Sequence, residues 1–174
     1  MKIVQQYLED FVRHRPEPDC KYAEQFVFYH GEDYTLFPDQ KAYIQRYGRK
    51  GACFHNALKL TQRYPDDLFY TEGFGSIPLD GQPHLVFGVH AWTVTRDGKV
   101  VDPTWKQGCE YFGVAFDLDY VLKIKARPGR LSVVDNFLDL HALWSGEHTD
   151  WRPKWAKDKL PRSGFVPYPR RKVS

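Results

Sequence analysis

Apolar residues Ile3, Val4, Tyr7, Leu8, Phe11 and Val12 recur at i, i+1, i+4, i+5, i+8 and i+9, the spacing of an amphipathic helix with one apolar stripe. Arg15-Pro16-Glu17-Pro18 ends it. From Tyr22 to Tyr29 two signals compete: Phe26, Val27 and Phe28 favour a strand, and Ala23-Glu24-Gln25 favours a helix. Gly31 to Pro38 is polar and turn-rich and reads as a loop. Asp39 reads as the N-cap of a short helix through Tyr47, with Tyr43 and Ile44 inward and Gly48 as its stop. A further helix opens at Cys53 and runs to about Tyr64, with Ala57, Leu58 and Leu60 on its inner face. Pro65-Asp66-Asp67 closes it.

Beyond that point the period shortens. Leu68 to Phe74 reads as a strand, Ser76 to Pro83 as a loop, and Leu85 to Thr95 as a long strand rich in Val, Phe, Trp and Thr. Asp97-Gly98 signals a hairpin, with Lys99 to Asp102 as the return strand. A linker follows Trp105, then Tyr111 to Phe116, a helix from Leu118 to Ala126 stopped by Pro128-Gly129, and another from Val134 to Trp144. The tail after Gly146 holds four prolines, two tryptophans and many charges, which suits a surface-wrapping basic segment over 146–174. The expected fold is α+β. An antiparallel sheet of four to six strands, starting at Leu68, packs on the Cys53 helix, with the amino-terminal and late helices outside.

Composition narrows the class. A chain of 174 residues with 42 % hydrophobic and 16 % aromatic residues is long enough for a full core, and one domain over 1–174 with its core at about 39–145 is the economical reading. No stretch approaches the roughly 18 apolar residues of a membrane span, and the start lacks the apolar run of a secretory leader. A soluble, cytoplasmic protein is expected, with no membrane partner. Cys20, Cys53 and Cys109 cannot all pair within one chain and match no zinc or disulfide spacing. A reducing compartment suits them, with Cys20 and Cys109 structural. The formal charge is only +3, part of it in the tail from Arg162 to Lys172. Nucleic-acid binding through that tail ranks last, behind a simply solvated end.

The chemistry lies between Gly51 and Trp105. A thiol is mostly protonated at neutral pH, so a nucleophilic cysteine needs a helix N-terminus or an imidazole to stabilise its thiolate. Cys53 opens a helix, His90 is available as the base, and Asp102 can fix the tautomer of the base. The hairpin register decides whether the last two meet. A two-residue turn at Asp97-Gly98 would put His90 and Asp102 on opposite faces. A three-residue loop, Arg96-Asp97-Gly98, with Gly98 left-handed, pairs Thr95 with Lys99 and Asp102 with Trp92, and sets His90 and Asp102 on one face. The functional reading therefore commits to the longer loop.

The order Cys, His-Ala-Trp at 90–92 and Asp-Pro-Thr at 102–104 resembles the transglutaminase-like branch of the papain-like thiol enzymes, over about a third of the chain. That likeness implies a papain-like, transglutaminase-core fold, with Cys53 as nucleophile, His90 as base, Asp102 as orienter, and the Cys53 backbone N–H in the oxyanion hole. Gln45 or Tyr47 is the candidate for a second oxyanion donor.

Plainer readings stand beside these. Cys53 alone is more often a small buried hydrophobe, and Asp102 before Pro103 can be turn chemistry. Glu72, in a buried-looking strand, either meets a substrate amine or a triad neighbour, or faces solvent from a sheet edge. Trp92 and Trp105 either wall an apolar cleft or fill the core, and Asn56 either faces the cleft or caps locally. Cys53, His55, His90 and Asp102 do not form a recognised zinc pattern, so neither metal nor cofactor is expected. The function that follows is a cysteine-dependent amide hydrolase or acyl transferase (peptidase, amidase, deamidase or transglutaminase-like) working through a thioester on a peptide, protein or small amide. The alternative is an inactive papain-like scaffold that binds a peptide or small ligand. Oligomeric state is not legible.

Overall fold

The computed structural model describes residues 2–15, 19–79, 82–129, 131–135, 143–146 and 149–168. Among them are four α-helices, α1 (Ile3–Arg13), α2 (Ala23–His30), α3 (Cys53–Arg63) and α4 (Leu118–Lys125), and five strands, β1 (Glu32–Leu36), β2 (Leu68–Leu79), β3 (Gln82–Thr95), β4 (Lys99–Val101) and β5 (Glu110–Phe116). The strands close into a barrel in the order β1-β4-β3-β2-β5. Every pairing is antiparallel except β1 with β4, which run parallel.

Two apolar compartments share this wall. Tyr34, Trp92, Val94, Val100, Tyr111 and Ala115, one or two from each of four strands, fill the barrel. The alternate residues of β2 and β5, among them Tyr70, Phe74, Val114 and Phe116, face outward and are covered by Val4, Leu8, Phe26, Ala57 and Ile124 of the helices. This alternation is the side-chain period of a strand used on both faces. Small residues make room inside: a Cβ on Gly113 would lie 2.7 Å from the Trp92 ring, and one on Gly73 would lie 2.3 Å from the Phe112 carbonyl oxygen.

The amphipathic α1 forms as its spacing predicts, and Val4 and Leu8 are buried. Its start has no side-chain cap of its own, so the Glu110 carboxylate on β5 accepts from the Val4 N–H at 3.1 Å. The competing signals at 22–29 resolve to α2, which buries Gln25, Phe26 and Val27. The helix at 118 is capped by the Asp117 side chain, which accepts from the Asp119 and Tyr120 N–H groups. Gly129 follows with φ +78.

Four expectations need correction. Residues 31–38 contain β1, not only a loop; just Tyr34 of its five residues is buried, too short a pattern to read. What orders it is pairing with β5 and β4, both remote in sequence. The expected loop at 76–83 is the end of a longer hairpin, with Ile77 paired to Leu85 and Leu79 to Gln82. The register slips between Ile77 and Leu79, on either side of Pro78, which lacks an N–H for the ladder. Asp39 does cap, accepting from the Lys41 N–H at 3.1 Å, but only a 3-10 turn over Gln40–Ala42 follows. The core is also not confined to 39–145, because α1 and α2 supply part of it. The expected helix from 134 to 144 and the last basic residues lie largely outside the described residues.

Residues 149–168 are stitched to the body of the fold. Trp151, 6 % exposed, packs against Phe26, His30 and Phe116, while its carbonyl accepts from the Asp117 N–H at 2.8 Å. Cys20 N–H donates to Val166 O and Arg162 N–H to Tyr29 O, both at 2.8 Å. Among the described residues no helix is long and apolar enough to cross a membrane.

Because the Trp92 ring occupies the space a methyl group would need, Gly113→Ala should cost about 1–3 kcal/mol in chemical denaturation. Gly88→Ala on β3, where nothing lies within 4 Å of the added carbon, should stay within about 0.5 kcal/mol of wild type.

Candidate active site

The hairpin takes the register on which the site depends. Val94 pairs with Val100 and Thr93 with Val101, which leaves Arg96, Asp97 and Gly98 as a three-residue loop, and Gly98 sits at φ +77. That left-handed conformation disfavours any side chain. Inside the loop the Thr95 hydroxyl donates to Asp97 at 2.5 Å and accepts from the Lys99 N–H at 3.0 Å. His90 and Asp102 therefore fall on one face, and His90 Nε2 lies 2.8 Å from Asp102 Oδ2.

Asp102 is wholly buried and every lone pair is engaged. Its Oδ1 accepts from the Thr104 N–H at 2.7 Å and the Trp105 N–H at 3.0 Å, while Oδ2 takes His90 and the Tyr111 hydroxyl, the latter at 2.8 Å. Turn chemistry and ring orientation are thus done by the same carboxyl group, one oxygen each. Its backbone N–H donates to Gln40 Oε1 at 3.1 Å. A buried carboxylate is tolerated when it is this fully hydrogen-bonded.

The imidazole is 3 % exposed. Trp105 lies flat on it, with ring centres 3.5 Å apart and planes 5° from parallel, and Trp92 stands behind at 5.8 Å. With Nε2 committed to the carboxylate, Nδ1 is the nitrogen left for the thiol. Burial lowers the His90 pKa, but its hydrogen bonds to Asp102 and Cys53, with the charges on both, outweigh burial and the net shift is upward.

Cys53 is the first residue of α3, which packs against β3 and β2. It is half-buried, and its N-cap, Ala52, offers no capping side chain. Burial raises the thiol pKa; the hydrogen bond and charge of His90, with the N–H groups of Ala91 and Phe54 turned to the sulfur, pull it below its ordinary value. Opposite shifts on partners in contact favour a thiolate–imidazolium pair. The three side chains of the proposed triad are brought together.

The other candidates divide. Trp105 lies at the site as the partner of the imidazole. Trp92 is fully buried inside the barrel and cannot wall a cleft. Asn56 spends its amide N–H groups on Arg49 O at 2.9 Å and Thr104 Oγ1 at 3.0 Å, so it ties the loop before α3 to the loop after β4. Gln45 is exposed beside Arg46, and the Tyr47 ring lies under Lys106 Nζ at 5.3 Å; no contact among the described residues joins either to the triad. Cys109 is exposed, not a structural core thiol, whereas Cys20 is buried and burial pushes its thiol far up. His55 is exposed, turned away from the sulfur as a helical neighbour should be.

Glu72 is neither a substrate contact nor an edge residue. It is fully buried on β2, between β3 and β5, and accepts from the Ser132 hydroxyl at 2.6 Å, the Tyr70 hydroxyl at 2.5 Å and the N–H groups of Val133 and Val134 at 2.8 and 2.9 Å. Lys125 Nζ stands 3.9 Å away. This carboxylate pins residues 131–135 to the outside of the barrel. Tyr111, Thr104 and Gln40 were missed by sequence reasoning. Tyr111 reaches Asp102 across the barrel from β5, which no local pattern encodes.

No protein-family model, curated protein or solved structure matches the chain.

Alkylation requires the thiolate, so its rate rises with pH through the thiol pKa. With that pKa lowered by His90, Cys53 should react with iodoacetamide faster than the exposed Cys109 near neutral pH. In His90→Ala the midpoint should move upward, since burial is then opposed only by the Ala91 and Phe54 N–H groups. Glu72→Ala should cost about 3–5 kcal/mol of unfolding free energy by leaving its donors unpaired.

Proposed function

We propose that this chain is a cysteine-dependent amide hydrolase or acyl transferase, built on a transglutaminase-like, papain-like plan and acting on a peptide, protein or small amide. The observation that carries the proposal is the buried 2.8 Å bond from His90 to Asp102, with the other nitrogen of the same ring left to a half-buried thiol at a helix start. Three unpaired cysteines, one exposed, fit a reducing, cytoplasmic setting.

In the first half-reaction the Cys53 thiolate attacks the carbonyl carbon, forming a C–S bond while the carbonyl electron pair moves to oxygen. The backbone N–H of Cys53, at the positive end of α3, is the donor available to that oxyanion. Collapse breaks the C–N bond, and the imidazolium of His90 gives its Nδ1 proton to the departing amine. A thioester remains. In the second half-reaction water or an amine attacks it, His90 takes the proton of the nucleophile, and the thiolate leaves. Water gives hydrolysis, an amine gives transfer, and what reaches the acyl group decides between them. Asp102 holds the proton on Nε2 throughout, and Trp105 shields that bond from water.

Mass spectrometry of the protein quenched in acid after exposure to activated amides and esters should show an acyl adduct on Cys53. Asp102→Asn, checked for folding by thermal denaturation, should slow its formation by about 10²–10⁴-fold. If Cys53 carries no adduct and alkylates no faster than Cys109, the scaffold is a binder without turnover and the enzymatic proposal fails.

A further inference from the structure

Charge is unevenly placed along this chain. Residues 41–63 hold six of its lysines and arginines (Lys41, Arg46, Arg49, Lys50, Lys59 and Arg63) and no aspartate or glutamate, although the whole chain nets only +3. Three of the six, Arg46, Lys59 and Arg63, converge on a cavity of about 420 Å³ with no carboxylate in its lining. None of the three forms an ion pair among the described residues. Asp67 and Asp97 act on the neighbouring Tyr43 from outside the cavity.

The cavity lies along the helix that carries the nucleophile. Asn56, Lys59, Leu60 and Arg63 line it along α3. At about 100° per residue these four and Cys53 fall within about a third of the helix circumference, and Asn56 is less than one turn from Cys53. Cys53 thus stands at the edge of the sector of α3 that lines the cavity, with Asn56 and Leu60 the lining residues nearest it around the helix. The hydrogen bond from Asn56 to Thr104, next to Asp102 and Pro103, ties the cavity floor to the loop that carries the carboxylate.

We infer that this cavity docks an acidic stretch of a polypeptide substrate and presents the adjoining acyl group to Cys53, an inference that rests on the thiol-enzyme reading above. Two features favour an acidic peptide over nucleic acid. The floor is aliphatic, from Ile44, Leu60 and Pro103, which suits side chains better than sugar and phosphate. The ring in it, Tyr43, already makes T-shaped contacts with Phe37 at 5.5 Å and Tyr64 at 5.2 Å, which leaves less of it for a base to stack on.

Fluorescence anisotropy tests the assignment with the full chain and three probes: a short Glu-rich peptide, its Lys-rich counterpart and a single-stranded oligonucleotide. The Glu-rich peptide should bind, weaken with added salt, and protect Cys53 from iodoacetamide. The triple variant Arg46→Gln, Lys59→Gln, Arg63→Gln, checked for folding by thermal denaturation, should bind it roughly tenfold more weakly, the order expected for losing three exposed ion pairs. Equal binding by the variant, no binding of the Glu-rich peptide, or tighter binding of the oligonucleotide overturns the inference. Alkylation of Cys53 without peptide tests the enzymatic reading separately. Slow alkylation with retained, variant-sensitive peptide binding leaves the docking site standing and removes only the chemistry.

Discussion

The bond between His90 and Asp102 is the constraint to which most of the structure answers. A carboxylate with no exposure to water is costly unless every lone pair has a donor, and here half of the donors come from other strands. Two are backbone N–H groups of its own turn, one is the ring of His90 on β3, and one is the hydroxyl of Tyr111 on β5. Closing the barrel brings β5 within reach, so the chemistry of the site and the closure of the sheet are one requirement. The low dielectric that makes Asp102 expensive also makes its hold on the imidazole strong.

Glu72 shows the same physics put to another end. It too is fully buried and fully hydrogen-bonded, but its donors lie on the outer face of the barrel and belong mostly to residues 131–134. Facing outward from β2, it anchors the chain that follows α4. Facing inward from the loop after β4, Asp102 aims a ring. Two buried acids of one sheet thus divide between holding the covering layer and setting the site, according to the face on which each lies.

The glycines and tryptophans form a matched set. Gly73 and Gly113 pair across β2 and β5, where their backbones approach closely, and the Trp92 ring packs over the space Gly113 leaves. A Cβ on Gly75 would lie 2.8 Å from the Trp105 ring, so that indole too leans over a glycine. Trp105 is thereby held flat against His90, and the bond behind the imidazole is kept from water.

Features that rest on neighbours along the chain were legible in the sequence. The stripe of α1 and the start of α3 at Cys53 follow from spacing, and the three-residue loop with Gly98 follows from requiring His90 and Asp102 to share a face, since Asp97-Gly98 by itself also allowed a two-residue turn. The loop alone settles that His90 and Asp102 share a face. What the sequence could not determine depends on partners remote along the chain. β1 buries a single side chain and exists because β4 and β5 flank it, Tyr111 meets Asp102 because the barrel closes, and Glu72 is buried because residues 131–134 fold over it. A short polar segment, a tyrosine in a strand and a glutamate in a strand look the same in the chain whether or not such partners arrive. Hydrogen-bond donors and apolar cover are supplied by the assembled fold, so only the tertiary structure decided them.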